Sequence, residues 1–215
     1  TTTADYIDRN ILYAKIFVKP ARAIEFIVVD FVNDTAMTTV IFSEIAFKKI
    51  AQLNAAIFQH CEKNCHTNPG DIAPPYNTSE LITIHENEEF EIVKRDLDLV
   101  DKYKTRYHVQ HVSSKKSVEL IKDAKENGLP VTAEVTPHHL LKNNLDINMN
   151  DGSLKMYPPL RSEEDRQALI NGLKNGIIDV IATDHAPHPK ETKEVSFKKS
   201  ARGVVGLESA FVVLF

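Results

Sequence analysis

Glycine is scarce in this sequence, and its scarcity is uneven. Seven glycines occur in 215 residues, about 3%, where roughly 7% is usual. The first is Gly70, and five of the other six lie at or after Gly152. A first third built with several tight turns would need more than that. Loops are therefore expected to be missing there, so that separated segments stand joined. The sequence also stops inside an apolar run, Ala210-Phe-Val-Val-Leu-Phe215, with no capping or stop signal, which predicts a piece of a longer protein. Cysteine is rarer still: Cys61 and Cys65 are the only two, which excludes a disulfide scaffold and suits a reducing compartment. No apolar run approaches the ~18–20 residues of a membrane span, and the first twenty residues contain no signal-peptide pattern. Lys and Arg number 26 against 30 Asp and Glu, a formal charge of −4. That balance excludes the broad basic surface used on nucleic acid or anionic membranes. The expectation is a soluble, cytoplasmic, single-domain protein.

No repeat, low-complexity tract or linker divides the chain. Short β-branched runs read as strands: Ala14–Val18, Phe26–Asp30, Ala56–Gln59, Arg106–Gln110, Pro130–Val135 and Ile177–Ala182. Helical periodicity separates most of them. Ile45, Phe47, Ile50 and Leu53 mark one helix; Ile92, Val93, Leu97 and Val100 a second; Val118, Leu120, Ile121 and Ala124 a third. A fourth opens after Arg161 with Ser-Glu-Glu-Asp, an N-cap followed by first-turn acids that suit the helix dipole, and ends near Gly172 or Gly176. Strand–helix alternation with apolar strands predicts a parallel sheet buried on both faces. Neither a G-x-G-x-x-G nor a G-x-x-x-x-G-K-[ST] turn is present, which disfavours a nucleotide-binding doubly wound sheet. The remaining architecture is a (β/α) barrel.

Nine histidines are present, and their placement is the strongest pattern. His60 follows Ala56–Gln59, His111 follows Arg106–Gln110, Asp184 follows Ile177–Ala182, and Asp34 comes shortly after Phe26–Asp30. Taken singly, a histidine after a strand is ordinarily a satisfied core or surface residue, and Asp34 a turn residue or N-cap. Together the four share one address, the carboxyl ends of parallel strands, where barrel active sites are built. Histidine with carboxylate is a ligand set for zinc or a similar hydrolytic metal. Weaker signals are set aside. His85-Glu86 begins like H-E-x-x-H but meets Glu89; Cys61 and Cys65 lack a second pair; Asn77-Thr-Ser79 is only a sequon; Lys198-Lys199 reads as a solvated face.

Four longer segments carry a family resemblance: His108-Val-Gln-His-Val-Ser-Ser114, Val131-Thr-Ala-Glu-Val-Thr-Pro-His-His-Leu140, Pro158-Pro-Leu-Arg161 and Ile181-Ala-Thr-Asp-His-Ala-Pro-His188. They resemble the class I dihydroorotases of bacteria, in the amidohydrolase superfamily of metal-dependent barrels. Gln59-His-Cys-Glu62 and Gly203-Val-Val-Gly-Leu-Glu208 agree with it, and the match runs from about Asp30 to the C-terminus. The resemblance implies an incomplete (β/α)8 barrel that lacks its first strand and its C-terminal part. It implies that Asp34 bridges two zinc ions, that His60 and His111 bind the more buried one, and that Asp184 binds the other and acts as general acid/base. It further implies that His188 contacts substrate and that Arg202-Gly203 holds the substrate ring amide through its backbone. Two departures stand out. The family's early His-x-His pair and its arginine have no counterpart, leaving Asp34, His60 and His111 as a three-ligand set for one metal. The family's substrate-binding Asn before Pro-Pro-Leu-Arg is Tyr157 here.

The implied activity is interconversion of N-carbamoyl-L-aspartate and L-dihydroorotate in pyrimidine biosynthesis. Zinc is the implied cofactor, two ions per complete site. Two alternatives stay open: a hydantoinase- or allantoinase-like cyclic amidase, and a non-catalytic subunit supporting aspartate transcarbamoylase. A homodimer is a further expected association.

Overall fold

The computed structural model describes residues 26–28, 36–62, 72–73, 87–208 and 210. Asp34 and the expected strand Ala14–Val18 lie outside these residues. Five strands alternate with helices: β1 (Phe26–Val28), α1 (Ala36–Gln52), β2 (Ala56–Gln59), α2 (Glu88–Tyr103), β3 (Arg106–Val109), α3 (Lys115–Glu126), β4 (Val131–Val135), α4 (Pro137–Leu141), α5 (Glu163–Lys174), β5 (Val180–Ile181) and a single turn α6 (Lys190–Lys193). All strand pairs are parallel, and their order across the sheet is their order in the chain. A doubly wound sheet reverses its strand order at a switch point. This sheet does not.

Register explains how the core forms. Ile57 stands beside Tyr107 and Tyr107 beside Val131, so Ile57, Tyr107, Val109, Val131, Ala133 and Val135 occupy one face. That face packs in a single cluster with Phe47 and Ile50 of α1, Val93 and Val100 of α2, Ile121 of α3 and Leu169 of α5. The other face was expected to be apolar as well. Instead it carries Phe58, His108, Thr132 and Glu134, with Thr132 exposed. The strands of the middle of the sheet are half polar, and the polar half is where the histidines gather.

The helices follow their sequence signals in most details. Ser114 caps α3 by accepting from the Ser117 N–H, and Ser162 with Asp165 forms a complete capping box on α5. Lys104 ends α2 in the left-handed conformation. One expectation is corrected: Ile45 and Leu53 are exposed, leaving Phe47 and Ile50 as the buried apolar positions of α1 among the residues whose burial is described. The helix after Arg161 ends at Lys174, between the two glycines expected to mark its end. Gly172 is buried within α5, where an added Cβ would lie 3.1 Å from Val118 and 3.2 Å from Ile178. The glycine past the end is Gly176, at φ +71°. No described helix is long and apolar enough to cross a membrane.

Candidate active site

His60 is the first residue beyond β2, and His111 lies two residues beyond β3. Parallel pairing brings those strand ends side by side, and the two rings meet although 51 positions separate them. His60 Nδ1 and His111 Nε2 are 2.7 Å apart, with the rings edge to face at 4.5 Å. On its far side, His60 Nε2 lies 3.0 Å from a Glu62 carboxylate oxygen. A carboxylate only accepts, so the neutral His60 ring carries its proton on Nε2. Its Nδ1 lone pair then faces His111, which supplies the shared proton. Burial, and next the neighbouring His60, drive the His111 imidazole down to about 3. Two imidazole nitrogens brought to 2.7 Å of each other are donors of a kind that suits a borderline cation such as zinc.

Asp184 comes from the segment after β5. Burial, followed by Glu134, pushes its carboxyl above the usual range while His60 opposes the rise. His111 and Asp184 both have left-handed backbones, at φ +33° and +44°. Such conformations are uncommon for residues other than glycine, least so for Asn, Asp and His. Among the described residues no group of three or more His, Cys, Asp or Glu side chains converges as a metal set. The described structure thus supplies a two-histidine pair with Asp184 nearby. Asp34, the predicted bridging ligand, lies outside it.

Tyr157 stacks on His60 with ring centres 5.8 Å apart. The Arg202 guanidinium lies 5.6 Å from the centre of the same Tyr157 ring. The Tyr157 hydroxyl donates to Glu88 at 2.7 Å, and burial, followed by that bond, raises its pKa. Tyr157 and Arg202 are thereby brought to the histidine pair. His188 and Gly203 sit a little apart, lining a cavity of ≈ 470 Å3 together with His138, Leu141, Lys193 and Val204. His188 Nε2 donates to the Arg202 carbonyl at 2.7 Å, and the Gly203 N–H to the Lys155 carbonyl at 2.9 Å. Gly203 has φ +137°, and a Cβ there would lie 2.6 Å from the Ala186 carbonyl oxygen. Only glycine fits that approach.

The Thr-Pro-His-His motif had no role read from its residues, and the structure supplies one. Thr136 caps α4, Pro137 occupies its first turn, and the Thr136 hydroxyl lies 2.6 Å from His139 Nδ1. His139 Nε2 donates to the Pro158 carbonyl at 3.1 Å. The proton is therefore on Nε2, and Nδ1 accepts from Thr136. His139 pins the segment after β4 to the one that carries Tyr157. His138, its ring 4.6 Å from that of His139, has a buried Nε2 with no hydrogen-bond partner. Burial holds His139 at about 3 and His138 at about 2, each lowered further by a neighbouring histidine. In the unfolded chain both return to about 6.5.

The sign of the pH dependence follows. Between about pH 6.5 and 3 the unfolded state binds protons that the folded state refuses, so stability falls as pH drops through that window. Each such histidine contributes a slope of up to about 1.4 kcal/mol per pH unit. Urea unfolding midpoints measured at pH 7, 6, 5 and 4 are expected to fall steadily, and His139→Gln should flatten the fall. An unchanged profile in the variant would mean that His139 is protonated in the fold.

No family model matches the chain. Among curated proteins, it is 47% identical over 175 residues to the dihydroorotase of Macrococcus caseolyticus, a match that covers 79% of this chain and 40% of that relative. Among solved structures, the L-hydantoinase of Arthrobacter aurescens matches with TM-score 0.67 and 28% identity, over 86% of this chain and 42% of the other. The dihydroorotase of Saccharomyces cerevisiae, solved with 5-fluoroorotic acid, matches with TM-score 0.61 over 79% of this chain and 46% of that one, at 21% identity. The chain spans about two fifths of the length of the curated relatives it matches. Over the matched residues its sequence is similar to those of dihydroorotases, and the solved structures it resembles include a hydantoinase and a dihydroorotase.

Proposed function

We propose that the protein is a metal-dependent cyclic amidohydrolase of the barrel type, a dihydroorotase that interconverts N-carbamoyl-L-aspartate and L-dihydroorotate. The observation that carries this reading is the meeting of His60 and His111 at adjacent strand ends, in a chain 47% identical to a dihydroorotase over 175 residues. Strand order that follows chain order, with the helices of the core packed on one face, supports an arc of a (β/α)8 barrel.

In this reading His60, His111 and Asp34 hold zinc, with Asp184 on the second ion. Bound zinc supplies hydroxide near neutral pH and polarises the amide carbonyl. The chain's own residues do the rest. Glu62 keeps the His60 proton on Nε2 and so leaves Nδ1 free to ligate. Asp184, its proton affinity raised by burial, takes a proton from the attacking water as the new C–O bond forms. It returns that proton to the ring nitrogen as the C–N bond breaks. In this reading Arg202, His188, Gly203 and Tyr157 bind substrate, with the Gly203 N–H and the Arg202 carbonyl exchanging their present partners, Lys155 and His188, for it.

The test is zinc content measured together with turnover of L-dihydroorotate and of hydantoin, on the protein as it is made in the cell. Bound zinc with turnover of dihydroorotate is the expected outcome. Turnover of hydantoin alone would replace the substrate assignment, as the Tyr157 substitution would then require. Absence of both zinc and turnover, with aspartate transcarbamoylase co-purifying, would establish the supporting-subunit alternative instead.

A further inference from the structure

Glu134, whose charge lies near Asp184, also makes hydrogen bonds with His108, His111 and Val112. It stands on the polar face of β4, one strand over from His108. Its Oε2 lies 2.9 Å from His108 Nε2, and the other His108 nitrogen lies 2.8 Å from the Thr132 hydroxyl. His108 is itself packed on Phe58 at 4.6 Å, so this end of Glu134 is fixed to the sheet. Its Oε1 accepts from the His111 N–H at 3.4 Å. Its backbone carbonyl accepts from the next residue, Val112, at 2.9 Å. Glu134 therefore holds both amides of the His111-Val112 pair, one through its side chain and one through its main chain.

That grip falls where the chain needs it. His111 departs from β3 at φ +33°, a conformation that a residue with a side chain keeps only when its surroundings fix it. Relaxing to an extended backbone would swing the His111 ring away from His60. We propose that Glu134 is a positioning residue: its carboxylate, braced on His108, fixes the turned backbone of His111 and so sets the His60–His111 pair at bonding distance.

The proposal rests on the metal reading for its catalytic meaning, but its geometry is testable without it. A plainer role, a negative charge for His108, makes the opposite prediction for two conservative variants. Glu134→Gln keeps the length of the arm and an Oε1 acceptor for the His111 N–H, and loses the charge. Glu134→Asp keeps the charge and withdraws the acceptor by one methylene. Histidine ring 15N NMR on the metal-free protein reads the proton shared by His60 and His111 directly. A competing chromophoric chelator reads zinc affinity.

The expected result is that Glu134→Gln retains the shared-proton signature and binds zinc within a few-fold of the parent. Glu134→Asp is expected to lose the signature and bind zinc roughly 10–100-fold more weakly, the usual cost of removing an outer support of a metal ligand. The reverse order, or equal loss in both, overturns the proposal. A parent protein that shows the shared proton but binds no zinc would remove the metal reading and leave the role of Glu134 standing or falling on the NMR signature alone.

Discussion

His111→Ala and His60→Ala are each expected to strip the protein of bound zinc and of turnover. The loss should exceed the roughly 10–100-fold that removing an outer support costs, because a ring nitrogen that would hold the ion is itself removed. The two rings are partners at 2.7 Å, so either variant leaves the other nitrogen facing space. The effects should therefore be nearly as large singly as together. Metal analysis on the purified variants, alongside their urea midpoints, separates loss of ligand from loss of fold. His60 is half-buried and belongs to no part of the apolar cluster, so its variant should unfold close to the parent. Full zinc content in both variants would place the metal elsewhere.

The second large effect lies outside the site. Arg161 closes the Pro-Pro-Leu-Arg motif, and the structure buries it at 7% exposure. Its Nε donates to the Ser113 hydroxyl at 2.8 Å, and its guanidinium lies 4.0 Å from Glu89. Glu89 is buried at 4% and also accepts from the Ser113 and Ser114 backbone and side chains. Burial opposes its ionisation, but Arg161 and those hydroxyls outweigh it and hold the carboxyl below its ordinary range. Arg161→Met removes the countercharge and strands the carboxylate. Breaking one side of a buried pair costs about 3–5 kcal/mol, which for a chain of this size lowers Tm by on the order of 10 °C. The paired variant Glu89→Gln with Arg161→Met should recover much of that loss. Calorimetry decides it: no recovery in the double variant would mean that Arg161 matters for its packing rather than its charge.

The contrast between these two sites shows what the sequence made legible. β2 falls where the β-branched run placed it, and Ser162 caps α5 as the Ser-Glu-Glu-Asp pattern indicated. Those features are local, and local chemistry decides them. The positions of His60, His111 and Asp184 after β2, β3 and β5 were also readable, because each needs only its own strand to end before it. What could not be read was pairing. Nothing in the spacing of Glu89 and Arg161 marks them as partners, and in the sequence Glu89 stands out only as the residue that breaks an H-E-x-x-H motif. His139 and Glu134 were likewise visible in their motifs without a job. Their bonds run to Pro158 and to His108 and His111, across strands whose register no single segment contains. The β-branched run Ile177–Ala182 also predicts a longer β5 than the one that forms. Only Val180–Ile181 pairs with β4, while Ile178 leaves the sheet for the apolar cluster.

Strand order has a consequence for how the protein is made. Each of β2 to β5 pairs with the strand synthesised just before it, and α1, α2, α3 and α5 pack one on the next. When a strand leaves the ribosome its hydrogen-bonding edge is therefore already waiting, and no partner must be awaited from downstream. Contacts of short sequence separation close quickly, and chains that grow by such additions fold in the direction of translation. The histidine pair assembles at the second of these additions, when β3 docks on β2, before the motif that carries Asp184 has been translated.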